Sequence, residues 1–233
     1  KKKKLLEGNI VVITGATGTI GFETYKIFKS YGAEVVLLDN DLNRLKEVQL
    51  KIKDLCIHCD VTNKKSVKRA FKIICEKFGG FDILISNAGL LGTIGPLRHI
   101  DPTVWEQTLA VNVTANWRLI RSLDPLLRLS KSGRAIFLTS SAAQYHRAFW
   151  GLYAASKAAL EMMVGTYAQE SSGTNVAAIL FNPGRTRTKM RAEAYPGEDP
   201  KKIKTPEIVA RKLFELATSQ NDLNGKVIIA DET

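Results

Sequence analysis

The chain has 233 residues, 45% hydrophobic and 24% charged, a length and balance that fit one large α/β domain and argue against a second. Its net charge is +11, yet lysines such as Lys64, Lys65, Lys68 and Lys72 fall on expected solvent faces without interleaved aromatics, which argues against a nucleic-acid partner. No apolar run approaches the roughly 20 residues of a membrane span, and none follows the lysine-rich start as in a signal peptide, so no membrane role is expected and the setting is read as cytoplasmic.

Residues 1–7 are a basic N-terminal segment, and residues 8–233 are read as the single domain. A first β run, 10–13, leads into Thr14-Gly15-Ala16-Thr17-Gly18-Thr19-Ile20-Gly21 and an expected helix over 20–30. Glycines between a strand and a helix let the backbone turn tightly, so that the helix N-terminus faces the diphosphate of a dinucleotide. The next expected strand, 34–38, is followed by Asp39, eighteen residues after Gly21. An acidic side chain there accepts hydrogen bonds from ribose hydroxyls and repels a 2′-phosphate, which favours NAD over NADP. The competing reading is that Asp39 caps the helix expected over 42–50 while Arg44 or a nearby lysine takes the phosphate, which would admit NADP.

The third strand, 55–59, contains Cys56-Ile57-His58-Cys59. Strand residues three apart point to opposite faces, so the two thiols do not converge, and no metal site is expected. Further helices fit 64–77, 103–129, 153–170 and 206–219, and further strands fit 83–86, 135–139, 175–181 and 226–229, with Gly32, Gly79 and Gly133 at helix ends. Seven strands alternating with helices imply a Rossmann-type, doubly wound parallel sheet with helices on both faces. Residues 182–205 hold three of the seven prolines and many charges, and read as a long loop with a short helix, a substrate lid.

Tyr153 and Lys157 lie four apart on an expected helix, and Ser140 precedes the tyrosine by thirteen residues at the end of a strand. Tyr25 and Lys29 share the four-residue spacing, but Val12 stands thirteen residues before Tyr25. Hydride exchange between a nicotinamide and a carbonyl needs a proton donor at the developing alkoxide. Tyr153 suits that role if Lys157, on the same helix face, lowers its pKa by roughly 2 to 3 units from about 10. Ser140, at the carboxyl end of its strand, is placed to hydrogen-bond the substrate oxygen.

These motifs resemble the short-chain dehydrogenase/reductase family, in its compact single-domain form and in a proteobacterial branch of oxidoreductases. The resemblance rests also on Asp60-Val61-Thr62, Asn87-Ala88-Gly89, Asn112, and Pro183-Gly184 with Thr186 and Thr188, and it runs along nearly the whole chain. It implies that Asp60 and Val61 sit against the adenine, that Asn87, Ala88 and Gly89 line the ribose side, and that Pro183 to Thr188 meet the nicotinamide. By resemblance Asn112 bends its helix and holds a water linking Lys157 to solvent, and the protein forms a homodimer or homotetramer through the long helices. The resemblance further implies an NAD(P)-dependent enzyme acting on the CH-OH group of a small alcohol or carbonyl compound.

One departure stands out. The family usually has T-G-x-x-x-G-x-G, whereas Gly18-Thr19 here gives the T-G-x-x-G-x-x-G spacing of epimerases and dehydratases, keeping a nucleotide-sugar epimerase and a non-catalytic dinucleotide sensor as alternatives. Leu90, Leu91, His146, Phe149, Trp150, Arg185, Arg187, Lys189, Arg191 and Tyr195 are expected around the outer cleft.

Overall fold

The computed structural model describes residues 4–230; Lys1, Lys2 and Lys3 of the basic segment lie outside the described residues. Strands β1 (Ile10–Thr14), β2 (Glu34–Asp39), β3 (Leu55–His58), β4 (Ile83–Ser86), β5 (Gly133–Leu138), β6 (Val176–Asn182) and β7 (Val227–Ile229) pair in parallel in the order β3-β2-β1-β4-β5-β6-β7. Between them lie helices α1 (Thr19–Ser30), α2 (Leu42–Gln49), α3 (Lys64–Phe78), α4 (Pro102–Leu109), α5 (Ala115–Leu127), α6 (Gly151–Glu170), α7 (Lys189–Ala194) and α8 (Pro206–Thr218).

The doubly wound form follows from strands apolar on both faces. Alternation along the pleat sends Val12, Val36, Leu84 and Phe137 into one layer with α3, α5 and α6. Val11, Ile13, Leu37 and Ile85 pack in the other layer with α1 and α8. Strand order reverses between β1 and β4, the place where such sheets open a ligand crevice at their carboxyl ends. The same alternation separates Cys56, packed against one layer, from Cys59, buried in the other.

The structure departs from the expected elements in four places. Leu6, assigned to the basic segment, is buried in the core, and its N–H donates to the Tyr31 carbonyl at 3.0 Å. Gly133, expected as a helix end, opens β5. Helix α6 starts at Gly151, so Tyr153 sits in its first turn. The helix expected over 103–129 is interrupted by a π turn at Ala110–Thr114 between α4 and α5.

The π turn is stabilised from within. Asn112 is fully buried; its Oδ1 accepts from Leu90 N and its Nδ2 donates to Leu90 O, each at 2.8 Å, and to Ser156 Oγ at 2.9 Å. A widened turn disturbs the regular pairing of helix carbonyls, and Asn116 Nδ2 supplies a donor to the Asn112 carbonyl at 2.9 Å.

The pair Tyr25 and Lys29, which shares the four-residue spacing of Tyr153 and Lys157, has a structural partner instead. Asp54, nearly buried ahead of β3, accepts from Tyr25 Oη at 3.1 Å, Lys29 Nζ at 2.8 Å and Val35 N at 3.3 Å. Burial and the adjacent carboxylate both hold the Tyr25 phenol protonated. Asp54→Ala leaves a buried hydroxyl and a strand N–H without an acceptor, and is expected to lower the urea unfolding free energy by about 2 to 4 kcal/mol. A loss below about 0.5 kcal/mol, the scale of an ordinary surface change, would show that this network does not hold α1 to the sheet.

Candidate active site

The carboxyl ends of the central strands open onto one cleft of about 840 Å³. Gly15, Thr17, Gly18, Thr19, Ile20, Asp39, Asp60, Val61, Asn87, Ala88, Gly89, Ser140, Tyr153, Lys157, Pro183, Gly184, Thr186 and Thr188 all line it. The two remaining residues singled out from the sequence, Gly21 and Asn112, stand behind the wall.

At one end lies the glycine turn. Gly15 has φ +60°, in the left-handed region where glycine is favoured. A Cβ on Gly21 would sit 2.3 Å from the Gly15 carbonyl oxygen and 2.9 Å from Ala16 Cα, so the turn closes only because position 21 has no side chain. Gly18 caps α1 with no side-chain hydrogen bond, and no acidic residue occupies its first turn, which leaves the helix N-terminus facing the cleft. Thr19, the departure from the family spacing, is the first helical residue and its side chain is exposed.

Asp39 ends β2 beside this turn. Its Oδ2 accepts from Thr17 N at 2.9 Å and Thr17 Oγ1 at 2.8 Å, and its Oδ1 accepts from Asp41 N at 2.9 Å. Asp41, not Asp39, caps α2, accepting from Arg44 N at 3.0 Å. Arg44 Nε lies 3.6 Å from the Asp41 carboxylate.

At the other end, β5 and α6 bring Ser140, Tyr153 and Lys157 together. Lys157 is buried, donates from Nζ to the Leu138 carbonyl at 3.0 Å and lies 5.7 Å from the centroid of the Tyr153 ring. One residue along the same strand end, Thr139 Oγ1 donates to Glu161 Oε1 at 2.7 Å. These two bonds tie the strand that carries Ser140 to the helix that carries Tyr153. Burial pulls the Lys157 ammonium down to about 8, with the Glu161 charge opposing it. Burial also pushes the Tyr153 phenol up to about 12, with the Ser140 hydroxyl working against it. The lowered phenol expected from Lys157 is therefore not found, because desolvation of Tyr153 outweighs its neighbours.

Beyond Tyr153 the cleft is aromatic. The Trp150 ring meets Tyr153 edge-on at 6.1 Å, and Tyr195 of the 182–205 segment lies 5.6 Å from Trp150. Phe149 precedes Trp150 with φ +73°, a conformation costly for a side chain of its size, and its carbonyl accepts from Gly95 N at 2.8 Å. The short helix expected in the 182–205 segment is α7, and the segment is closed at its base by Arg187 N donating to Lys204 O at 2.9 Å. Leu90, Leu91, Trp150, Lys189, Arg191 and Tyr195 line the cleft as expected, whereas His146, Phe149, Arg185 and Arg187 do not.

Residues 9–199 match the family described as short chain dehydrogenase. The chain belongs to the short-chain dehydrogenase family. The oxidoreductase YciK of Escherichia coli (strain K12) is 36% identical to it over 213 residues, 88% of this chain and 84% of that protein. A short chain dehydrogenase from Escherichia coli CFT073, complexed with NADPH, superposes with a TM-score of 0.93 at 34% identity, covering 99% of this chain and 100% of that one. Another, from Shigella flexneri 2a str. 301 and complexed with NADP, gives a TM-score of 0.92 at 33% identity over 98% and 99% of the two chains.

In and around the cleft of this short-chain dehydrogenase stand residues that the sequence motifs do not include. Glu161 continues the four-residue spacing of Tyr153 and Lys157 along α6, a signal visible in the sequence once the helix is accepted. Gln107 and Val111, four apart on either side of the start of the π turn, face the cleft. Arg147, exposed and outside the lining, meets the Trp150 and Tyr195 rings, a contact that no local pattern announces. No helix among the described residues is long and apolar enough to cross a membrane.

Proposed function

We propose that this short-chain dehydrogenase transfers a hydride between NAD(P) and an alcohol or carbonyl substrate, with Tyr153 as the acid or base. The observation that carries the reading is the convergence of Ser140, Tyr153 and Lys157 in a single cleft with an uncapped glycine turn. A dinucleotide suits this cleft: the close approach at Gly15 and Gly21 would admit its diphosphate to the α1 N-terminus, and Asp39 would face its adenosine ribose. When bound, the nicotinamide supplies or accepts the hydride. Asn87, Ala88 and Gly89 would flank the riboses, Asp60 and Val61 the adenine, and Pro183, Gly184, Thr186 and Thr188 the nicotinamide.

In carbonyl reduction Ser140 would hold the substrate oxygen, and Tyr153 would donate its proton as negative charge develops there. Lys157 would favour the phenolate so formed, and Asn112, bonded to Ser156 of α6, would brace the wall behind them. Tyr153, at about 12, keeps its proton across neutral pH, whereas Lys157, at about 8, is cationic below that pH and neutral above it. Reduction needs both the phenol proton and the cation, so its rate is expected to be level below pH 8 and to fall as pH rises beyond it. A rate that climbed steadily from pH 7 to 10 would count against Lys157 as the required cation.

The ribose end favours NAD. Two carboxylates, Asp39 and Asp41, stand there, and the adjacent Arg44 is engaged by Asp41. The relatives with NADP and NADPH show that the fold accepts a 2′-phosphate, so the preference here rests on these side chains. Asp39→Ala is expected to weaken NADH about tenfold and to remove most of the discrimination against NADPH. Paired titrations, following energy transfer from tryptophan to the reduced nicotinamide, read both effects; an unchanged preference would move ribose selection to other residues. The same titration on the unaltered protein tests the whole reading, since a dehydrogenase that binds neither dinucleotide has no hydride source. Trp117 and Met162, exposed on α5 and α6, accord with assembly into a homo-oligomer through those helices, and the setting we propose is cytoplasmic.

A further inference from the structure

The geometry points to a substrate that carries a carboxylate-class anion remote from its reacting carbon, held at the aromatic mouth of the cleft by Arg147. This deepens the oxidoreductase reading and rests on it for the position of the reacting carbon.

The cleft is electrically lopsided. Its acidic lining residues, Asp39, Asp41 and Asp60, all belong to the adenosine end. Around Tyr195 the charged residues lining it are Lys189 and Arg191. Arg191 is neutralised by a bidentate pair with Glu198 at 2.6 and 2.7 Å, and its guanidinium stacks 3.7 Å from the Tyr195 ring centroid, so it holds the ring rather than offering charge. Lys189 reaches Glu193 only at 3.9 Å, with both side chains exposed.

Arg147 is different. Its side chain is exposed and stands outside the lining, against two rings that belong to it: the guanidinium lies 5.3 Å from the Trp150 ring and 5.4 Å from the Tyr195 ring, donates to the Tyr195 hydroxyl, and among the described residues enters no ion pair. One donor bond leaves most of its five N–H groups for a ligand. The two rings restrict the fork, and an orientated guanidinium matches a planar carboxylate bidentately. Trp150 connects this cation to the chemistry, since its ring meets Tyr153 edge-on. Trp150 lies between Phe149, with φ +73°, and Gly151, where an added Cβ would fall 2.5 Å from Leu97 Cδ2. A flat apolar body lying along Trp150 would thus present a carbonyl to Tyr153 at one end and an anion to Arg147 at the other. A cationic substrate would meet no carboxylate in the lining of that end.

Two neutral-bodied aldehydes separate charge from shape: 4-carboxybenzaldehyde and its methyl ester, methyl 4-formylbenzoate. Calorimetric titrations of the protein alone and with NAD⁺ are expected to give the carboxylate about tenfold tighter binding than the ester. Arg147→Met, an exposed position that keeps an apolar stem, should erase that difference and leave ester binding unchanged, and Arg147→Lys should retain part of it. Equal affinities in the unaltered protein, a preference that survives Arg147→Met, or no binding of either compound overturns the proposal. Because the titration is also read without cofactor, a protein that binds neither NADH nor NADPH yet keeps the carboxylate preference would defeat the oxidoreductase reading and leave this subsite standing.

Discussion

Tyr153→Phe is expected to lower turnover by between about 10² and 10⁴-fold while leaving NADH affinity within about twofold. The substitution removes the one hydroxyl placed to exchange a proton with the substrate oxygen and keeps the ring. The contacts that position that ring, Trp150 at 6.1 Å and Lys157 at 5.7 Å, are made to its face and edge and do not depend on the hydroxyl. Binding and chemistry should therefore separate cleanly, a loss of kcat with little change in cofactor Kd. The buried phenol also has a cost that phenylalanine avoids, so the variant should be no less stable than the parent. Turnover within about threefold of normal would remove Tyr153 from the proton-transfer role, since acid–base groups contribute at least about 10²-fold.

The second large effect belongs to Gly21. Gly21→Ala forces a Cβ into three groups at once: the Gly15 oxygen at 2.3 Å, Ala16 Cα at 2.9 Å and Asn87 Nδ2 at 3.0 Å. Two of these are backbone, so the turn itself must move, at about 1 to 3 kcal/mol of stability. Movement there displaces the α1 N-terminus, and NADH affinity is expected to fall by more than about tenfold. Gly18→Ala is the contrast. Gly18 has φ −70°, and its added Cβ would come only within 3.2 Å of the Gly15 oxygen, so a loss of less than about threefold is expected. If the two variants bind NADH equally, the tight packing at position 21 does not shape the cradle.

That contrast shows what the sequence could convey. The strands were legible because parallel strands buried on both faces are continuous apolar runs, and the cleft was legible because glycine turns and polar residues recur at their carboxyl ends. The displaced middle glycine was plain in the sequence, but the packing around it was not: a Cβ at Gly21 would meet the turn's own backbone, while Thr19 is exposed. Asp39 had two readings in the sequence; the cap at Asp41 removes its capping role, while Arg44, which the other reading gave to a 2′-phosphate, also lines the cleft. The Tyr153 phenol went the other way. Spacing reveals the cation at Lys157 but not the burial of both groups, and burial dominates. Arg147 and the Thr139 bond to Glu161 were beyond reach, since each joins segments that no local period relates.

The break in the helix expected over 103–129 came only from the resemblance, which has Asn112 bend that helix, because a π turn keeps helical backbone angles and apolar spacing on both sides. Its consequence is one of phase. Each residue advances an α-helix by about 100°, so if Ala110–Thr114 relaxed to α winding, α5 would rotate by about that angle against α4. Leu119, Leu123 and Leu127 would swing out of the core, and Trp117 would turn off its outer face. The sheet thus acts as a torsional stop: the same buried leucines that stabilise the domain keep the turn wide, and with it the wall on which Asn112 stands.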